Sequence, residues 1–209
     1  LCSERELCLS DEHDGIIELA TDAPVGVSYA EYAGLDDPVI DIAITPDRAD
    51  CLGVRGIARD LAAAGLGTPK ALDIPEVKGT FESPISGGRI RIRLSKADES
   101  YLALNEKTYT FEDGMLVLGD QHGIDDIAGI MGGVRTGCSD ETVNMYLEVA
   151  IFDPISVAMT GRKLNLLSDA RYRFERGLDP TGPIWGVHLA SKLVLDICGG
   201  EASELVVHG

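Results

Sequence analysis

Aromatic residues are scarce in this 209-residue chain, at 5%, while glycine is frequent, at 24 residues. That combination reads as many tight turns and small-residue contacts; no glycine run repeats, which excludes a low-complexity chain. Positive charge is also short: 18 Lys and Arg stand against 35 Asp and Glu, for a net charge of −17. Such a surface repels polyanions, so weak or no nucleic-acid binding is expected of the chain alone unless a local basic patch or a partner supplies the affinity. The five cysteines, at 2, 8, 51, 138 and 198, are odd in number and none is spaced C-x-x-C. This excludes a disulfide framework and a zinc site, so no metal ligand is assigned, and reduced thiols in a cytoplasmic protein are expected. No window is long and apolar enough to cross a membrane, and no membrane partner is expected. The opening "LCSERELCLSDEHDG" has no signal-peptide pattern and reads as the middle of a longer chain.

What is present is an ordinary globular composition, 44% hydrophobic and 25% charged, enough for one large domain or two small ones. "PVIDIAIT" (38–45) alternates and predicts a half-buried strand. "DRADCLGVRGIARDLAAAGLG" predicts a helix over 51–64, with Asp50 as N-cap and Gly65 as its end. Residues 68–88 carry three prolines and little periodicity, which suits a connector, with "SGG" (86–88) as a flexible join. From Arg89 the period changes to two. "RIRIRL" sets Arg89, Arg91 and Arg93 against Ile90, Ile92 and Leu94; "SYLAL" and "KTYTF" flank a hairpin turn at Asn105-Glu106; "GMLVLGD" is another strand. "DDIAGIMGG" is apolar and glycine-rich, and "MYLEVAIF" (145–152) predicts a buried strand. Asp153 and Pro154 open a helix, and a last helix runs over 183–198 to Gly199-Gly200. The fold class is therefore α+β: a β-rich layer packed with helices, preceded by a small α+β segment. The expected division is 1–75 (a few short strands plus the helix 51–64), a junction at 76–88, and 89–209.

Glu148 is the residue of most chemical interest. A carboxylate in an apolar strand costs several kcal/mol unless it is paired, so Glu148 either lies on a solvated face or is an acceptor aimed into a pocket. "IMGGVRTG" (130–137) offers backbone that a ligand can approach closely, or a plain structural turn; it lacks the phosphate-loop spacing. Ser168 and Ala170 form a small-residue wall with a hydroxyl, but no G-x-S-x-G elbow supports a serine hydrolase, and no catalytic residue is assigned. His122 and His188 are too isolated to be metal ligands. "LLSDARYRFERGLDP" (166–180) gathers Arg171, Arg173 and Arg176 in what reads as a loop, either a phosphate contact or a set of salt-bridge partners for Asp169, Glu175 and Asp179.

Longer motifs go further. "DIAITPDRADCLGVRGIARDLAA", "AGIMGG", "TVNMYLEVAIFDP", "TGRKLNLLSDARYRFERGLDP" and "LDICGG" together resemble, in order and along nearly the whole chain, the region around the editing domain of bacterial phenylalanyl-tRNA synthetase beta chains. The resemblance implies that 89–209 is the second half of an editing-type domain, whose pocket hydrolyses mischarged tyrosyl-tRNA(Phe). Matched by position, Glu148 corresponds to the acid that recognises the tyrosine hydroxyl, Gly132 to a pocket-wall residue, Ser168 to a position often held by Thr, and Ala170 to its small neighbour. It implies an alpha chain and tRNA(Phe) as partners in a heterotetramer, with ATP and magnesium serving the parent enzyme rather than this region. One departure stands out. The family carries a long segment between an "ESPI"-like stretch and the Gly-Gly before "RIRIRL", where this chain has Ser86 alone; that segment holds the family's editing His and the facing half of the cleft. Two readings follow: a piece of the beta chain that is inactive alone, or a non-catalytic structural or interaction module of the synthetase.

Overall fold

The computed structural model describes residues 2–80 and 90–208. The chain divides into two compact units, Leu1–Ala43 and Ile44–Gly209. In the first, a short helix α1 (Tyr29–Tyr32) starts at Ser28, whose hydroxyl accepts the Glu31 N–H at 3.2 Å. The strand expected over 38–45 does not form: Val39 is 97% exposed, and the segment has no ladder partner among the described residues. Alternation decides which face each side chain takes but supplies no partner for backbone N–H and C=O groups. No strand precedes Arg91 among the described residues, so the few short strands expected within 1–75 are absent.

The second unit is built on antiparallel strands. β1 (Arg91–Leu94) is an edge strand. β2 (Ser100–Leu102) and β3 (Thr108–Thr110) make a two-stranded ribbon, and β4 (Leu116–Asp120), β5 (Gly123–Ile127) and β6 (Met131–Gly132) join β1 in a sheet of order β1-β4-β5-β6. The ribbon is the hairpin expected around Asn105-Glu106: Tyr101 faces Tyr109, and Glu106 takes the positive φ of 61° that closes the turn. Ala103 bridges to Gly133, which brings the ribbon to the end of β6. The core collects where these meet: Ala103, Val117 and Ile127 are fully buried, beside Phe111, Met115 and Ile130. β1 contributes little to it. Ile92 and Leu94 are exposed, while Arg93 is half-buried and makes a bidentate pair with Glu99, 2.8 Å at each contact. The "SGG" join and Arg89 lie outside the described residues.

Helices flank this layer. A 3-10 turn (Ala49–Cys51) leads into α2 (Val54–Ala63). The expected cap at Asp50 is not made. Gly53 holds the cap position, and Asp50 is taken by Arg48 at 3.0 Å and Arg59 at 2.5 Å, so ion pairs occupy the carboxylate instead. Gly65 ends α2 as expected, with a φ of 77°. The buried strand expected over 145–152 also fails to pair: Tyr146 and Met145 are exposed, and only Phe152 is fully in the core. It leads instead to α3 (Pro154–Lys163), where the Asp153 carboxylate accepts the Ser156 N–H at 2.7 Å and Pro154 takes the first turn. The arginine-rich stretch is not a loop; it contains α4 (Asp169–Phe174), a helix of fewer than two turns, too short for periodicity to reveal. The long α5 (Gly182–Cys198) stops at Gly199, with φ 72°, as Gly199-Gly200 predicts. Arg55 of α2 lies 5.0 Å over the Trp185 ring of α5, and the Val77 N–H donates to His188 Nδ1 at 3.2 Å, which ties the connector after α2 to α5.

Candidate functional site

The β5–β6 hairpin sets the site. Its register places Asp126 opposite Gly132 and Ile127 opposite Met131. Side chains alternate along a strand, so Asp126 and Gly132 share one face while Ile127 enters the core on the other. The turn between the strands closes on Gly129, at φ 68°; a Cβ there would lie 3.0 Å from the Phe174 ring and 3.1 Å from Phe152. At Gly132 a Cβ would fit in ordinary van der Waals contact. A Cβ there would have Leu104 Cδ1 at 3.4 Å and the Asp126 carboxylate at 3.8 Å as its nearest neighbours.

Asp126 is a half-buried acid in an apolar setting. Burial pushes its carboxyl up to about 7, and the charges of Glu148 and Asp125 add to the shift. Its Oδ1 is buried and has no hydrogen-bond partner among the described residues. Asp125, next in the strand, has a counter-ion: Arg135 binds it together with Asp120, the latter at 2.9 Å. Burial still raises the Asp125 carboxyl. Tyr101 lies near Asp126 as well. Its phenol is pushed up by burial and then by the Asp126 charge, and its hydroxyl donates to the Met131 carbonyl at 2.9 Å.

Glu148 sits half-buried in the 145–152 segment, and burial raises its carboxyl too. No ion pair or hydrogen bond engages it among the described residues. Its charge is felt by Asp126 and by the phenol of Tyr146. Asp126 thus faces Gly132 and feels the charge of Glu148.

Ser168 plays a different part. Its hydroxyl donates to the Ile130 carbonyl at 2.6 Å and accepts the Arg171 N–H at 3.0 Å, so it caps α4 and pins that helix to the hairpin turn. Ala170 is half-buried in the first turn of α4. An open depression of about 350 Å³ lies along α4, lined by Leu167, Ser168, Asp169, Arg171, Tyr172 and Glu175; Glu148 and Gly132 do not line it. The three arginines serve the scaffold. Arg171 is buried and donates to the Leu166 carbonyl at 2.7 Å and to Glu175 at 2.9 Å; Arg176 lies 3.6 Å over the Tyr172 ring; Arg173 donates to the Asp169 carbonyl at 2.9 Å. Asp179 does not join them; its hydrogen bonds come from Thr181.

Among the described residues, no three His, Cys, Asp or Glu side chains group to hold a metal ion, and no helix is long and apolar enough to cross a membrane.

The profile of one family, described as B3/4 domain, matches residues 70–199, more than half of the chain. The chain belongs to the B3/4 domain family. Over its whole length this B3/4 chain is also 40% identical, across 279 residues, to the phenylalanine–tRNA ligase beta subunits of Cereibacter sphaeroides and Brucella abortus, and 40% identical across 276 residues to that of Rhodopseudomonas palustris. It covers 35%, 35% and 34% of those proteins, so it spans about a third of the length of the curated relatives it matches. The 279 matched residues exceed the 209 of this chain by 70, so these relatives carry a sizeable stretch with no counterpart here. The match to the beta subunits is the resemblance read from the motifs. Asp126 was not singled out from the sequence, where "DDIAGIMGG" stands out only for its apolar and glycine content. The signal that finds it is the pairing of Asp126 with Gly132, which depends on where the hairpin turns.

Proposed function

We propose that this chain is the part of a phenylalanine–tRNA ligase beta chain that selects mischarged tyrosyl-tRNA(Phe) by the tyrosine hydroxyl, and that alone it does not hydrolyse that ester. The observation that carries the reading is Glu148: a half-buried carboxyl without an ion-pair partner among the described residues, close enough to Asp126 to shift its titration. Such a group is satisfied by a phenol and left unpaired beside a phenyl ring, which is a basis for telling tyrosine from phenylalanine. Gly132 shares its strand face with Asp126, and Ser168 caps α4, whose first turn holds Ala170. Residues 89–209 then stand as the second half of an editing-type domain, after a junction at 76–88 and a preceding segment at 1–75. The parent assembly supplies the alpha chain, tRNA(Phe), and the ATP- and magnesium-dependent activation step, in the cytoplasm.

Hydrolysis needs a positioned water and donors aimed at the developing oxyanion. The resemblance assigns that half of the cleft to the segment this chain lacks, and the greater matched length of the relatives agrees with such a gap. His188 is no replacement, since its Nδ1 already accepts the Val77 N–H.

The test is calorimetric titration with N-acetyl-tyrosinamide and N-acetyl-phenylalaninamide. The chain is expected to prefer the tyrosine amide, and Glu148→Ala to weaken that ligand about tenfold while leaving the phenylalanine amide unchanged. Equal losses for both would contradict the role of Glu148.

A second reading, an interaction module without a ligand pocket, is favoured by α5. No residue of this helix is buried, and Ile184, Leu193 and Ile197 are 50%, 50% and 79% exposed. On that reading the two amides bind equally or not at all.

A further inference from the structure

We propose that His188 is a pH-sensitive latch: while its ring is neutral it holds the connector after α2 against α5, and protonation releases the connector at Val77. This goes beyond the proposed ligand site and does not depend on it. Residues 68–80 form no helix or strand, and most of them are exposed; Val77 and Gly79 are half-buried. Two contacts with distant parts of the chain fasten the end of this connector. At one, the Val77 N–H donates to His188 Nδ1 at 3.2 Å. At the other, the Thr80 N–H donates to the Ala202 carbonyl at 2.9 Å and the Thr80 hydroxyl to the Glu201 carboxylate at 3.3 Å, in the tail that follows α5. Between them Gly79 runs directly along that tail. A Cβ there would lie 2.0 Å from the Glu204 nitrogen and 2.2 Å from the Ser203 carbonyl carbon, so only a residue without a side chain allows the approach.

The two fastenings differ in chemistry. A backbone carbonyl accepts at any pH. An imidazole accepts only through an unprotonated nitrogen, so the contact with Val77 requires a neutral ring with its proton on Nε2. A protonated ring carries an N–H at both positions. Nδ1 then turns a donor toward the donor of Val77, and the hydrogen bond is lost. A half-buried backbone N–H deprived of its acceptor is satisfied by water, which means moving away from α5. The groups nearby do not replace the lost bond. His188 makes no other hydrogen bond and no ion pair among the described residues. On the connector, Glu76 and Lys78 flank Val77. On α5, Lys192 pairs with Asp196; from α2, Arg55 lies over Trp185; on the tail, Glu201 accepts from Thr80. Acidification therefore frees the connector at Val77 and leaves it hinged at Thr80.

Amide hydrogen exchange of the intact chain, followed residue by residue by NMR, tests the latch. Protection of the Val77 amide, corrected for the intrinsic pH dependence of exchange, is expected to fall about tenfold between about pH 8 and about pH 5, the range in which an imidazole changes charge. Protection of the Thr80 amide is expected to stay within about twofold. His188→Gln keeps a carbonyl acceptor that does not titrate, and is expected to abolish the difference at Val77 between the two pH values. Equal protection of Val77 at both pH values in the wild type overturns the latch without recourse to any variant. A parallel fall at Val77 and Thr80 overturns it too, because that marks a general loosening in acid, as does a fall at Val77 that survives His188→Gln. Nitrogen NMR of the ring adds a check at about pH 8: the proton is expected on Nε2, and a proton on Nδ1 would overturn the hydrogen bond itself.

Discussion

Asp126 makes the protein's stability depend on pH in an unusual direction. Its carboxyl is raised from 3.8 to about 7 in the folded chain. Between those values the folded state holds a proton that the unfolded state has lost, so stability is fullest below about pH 4 and declines as pH rises through about 7. Ordinary ion-paired carboxylates in the same molecule act the other way. Glu99, held by Arg93 at about 2, and Asp120, held at about 2 by Arg135, contribute stability that is lost as pH falls toward 2. Asp126→Asn is therefore expected to flatten the decline between about pH 4 and 7, with a gain on the order of 2–4 kcal/mol at about pH 8. Urea unfolding at about pH 5 and pH 8 checks this, and an unchanged difference between the two would contradict the buried proton. Glu148 was legible in the sequence because a charge interrupts an apolar run. Asp126 was not, because its environment comes from the facing strand and from a segment about twenty residues further on.

At the scale of elements, α4 depends on one hydroxyl. Ser168 links its first turn to the carbonyl of Ile130, in the turn that positions Gly132. Ser168→Ala removes the cap and strands a carbonyl that is nearly enclosed, for an expected loss of about 1–2 kcal/mol in chemical denaturation. A Thr at 168, which keeps the hydroxyl, is expected to restore most of it. A loss below about 0.5 kcal/mol for Ala would mean that the cap is not what holds α4. Elements with local signals were readable: the Asp153-Pro154 start of α3, the double-glycine end of α5, the Asn105-Glu106 hairpin. Those that failed lacked something no local pattern carries. The stretches 38–45 and 145–152 have strand-like sequences but no neighbour to pair with among the described residues, and α4 is too short to show a period.

At the scale of the whole molecule, the proposed hydroxyl-recognising site belongs to a chain whose charge of −17 opposes tRNA docking. The chain belongs to the B3/4 family and matches about a third of each beta subunit. The many exposed apolar residues, Ile92 and Leu94 on β1 and Ile197 on α5 among them, are consistent with surfaces that neighbouring parts would cover. The central claim, recognition without hydrolysis, is tested most directly by deacylation of tyrosyl-tRNA(Phe) by the purified chain beside a complete phenylalanine–tRNA ligase. General acid–base groups typically contribute roughly two to four orders of magnitude to such a step, so a chain without them is expected to stay at the uncatalysed background. Turnover within about tenfold of the complete enzyme would show that the residues present suffice, and would contradict the account.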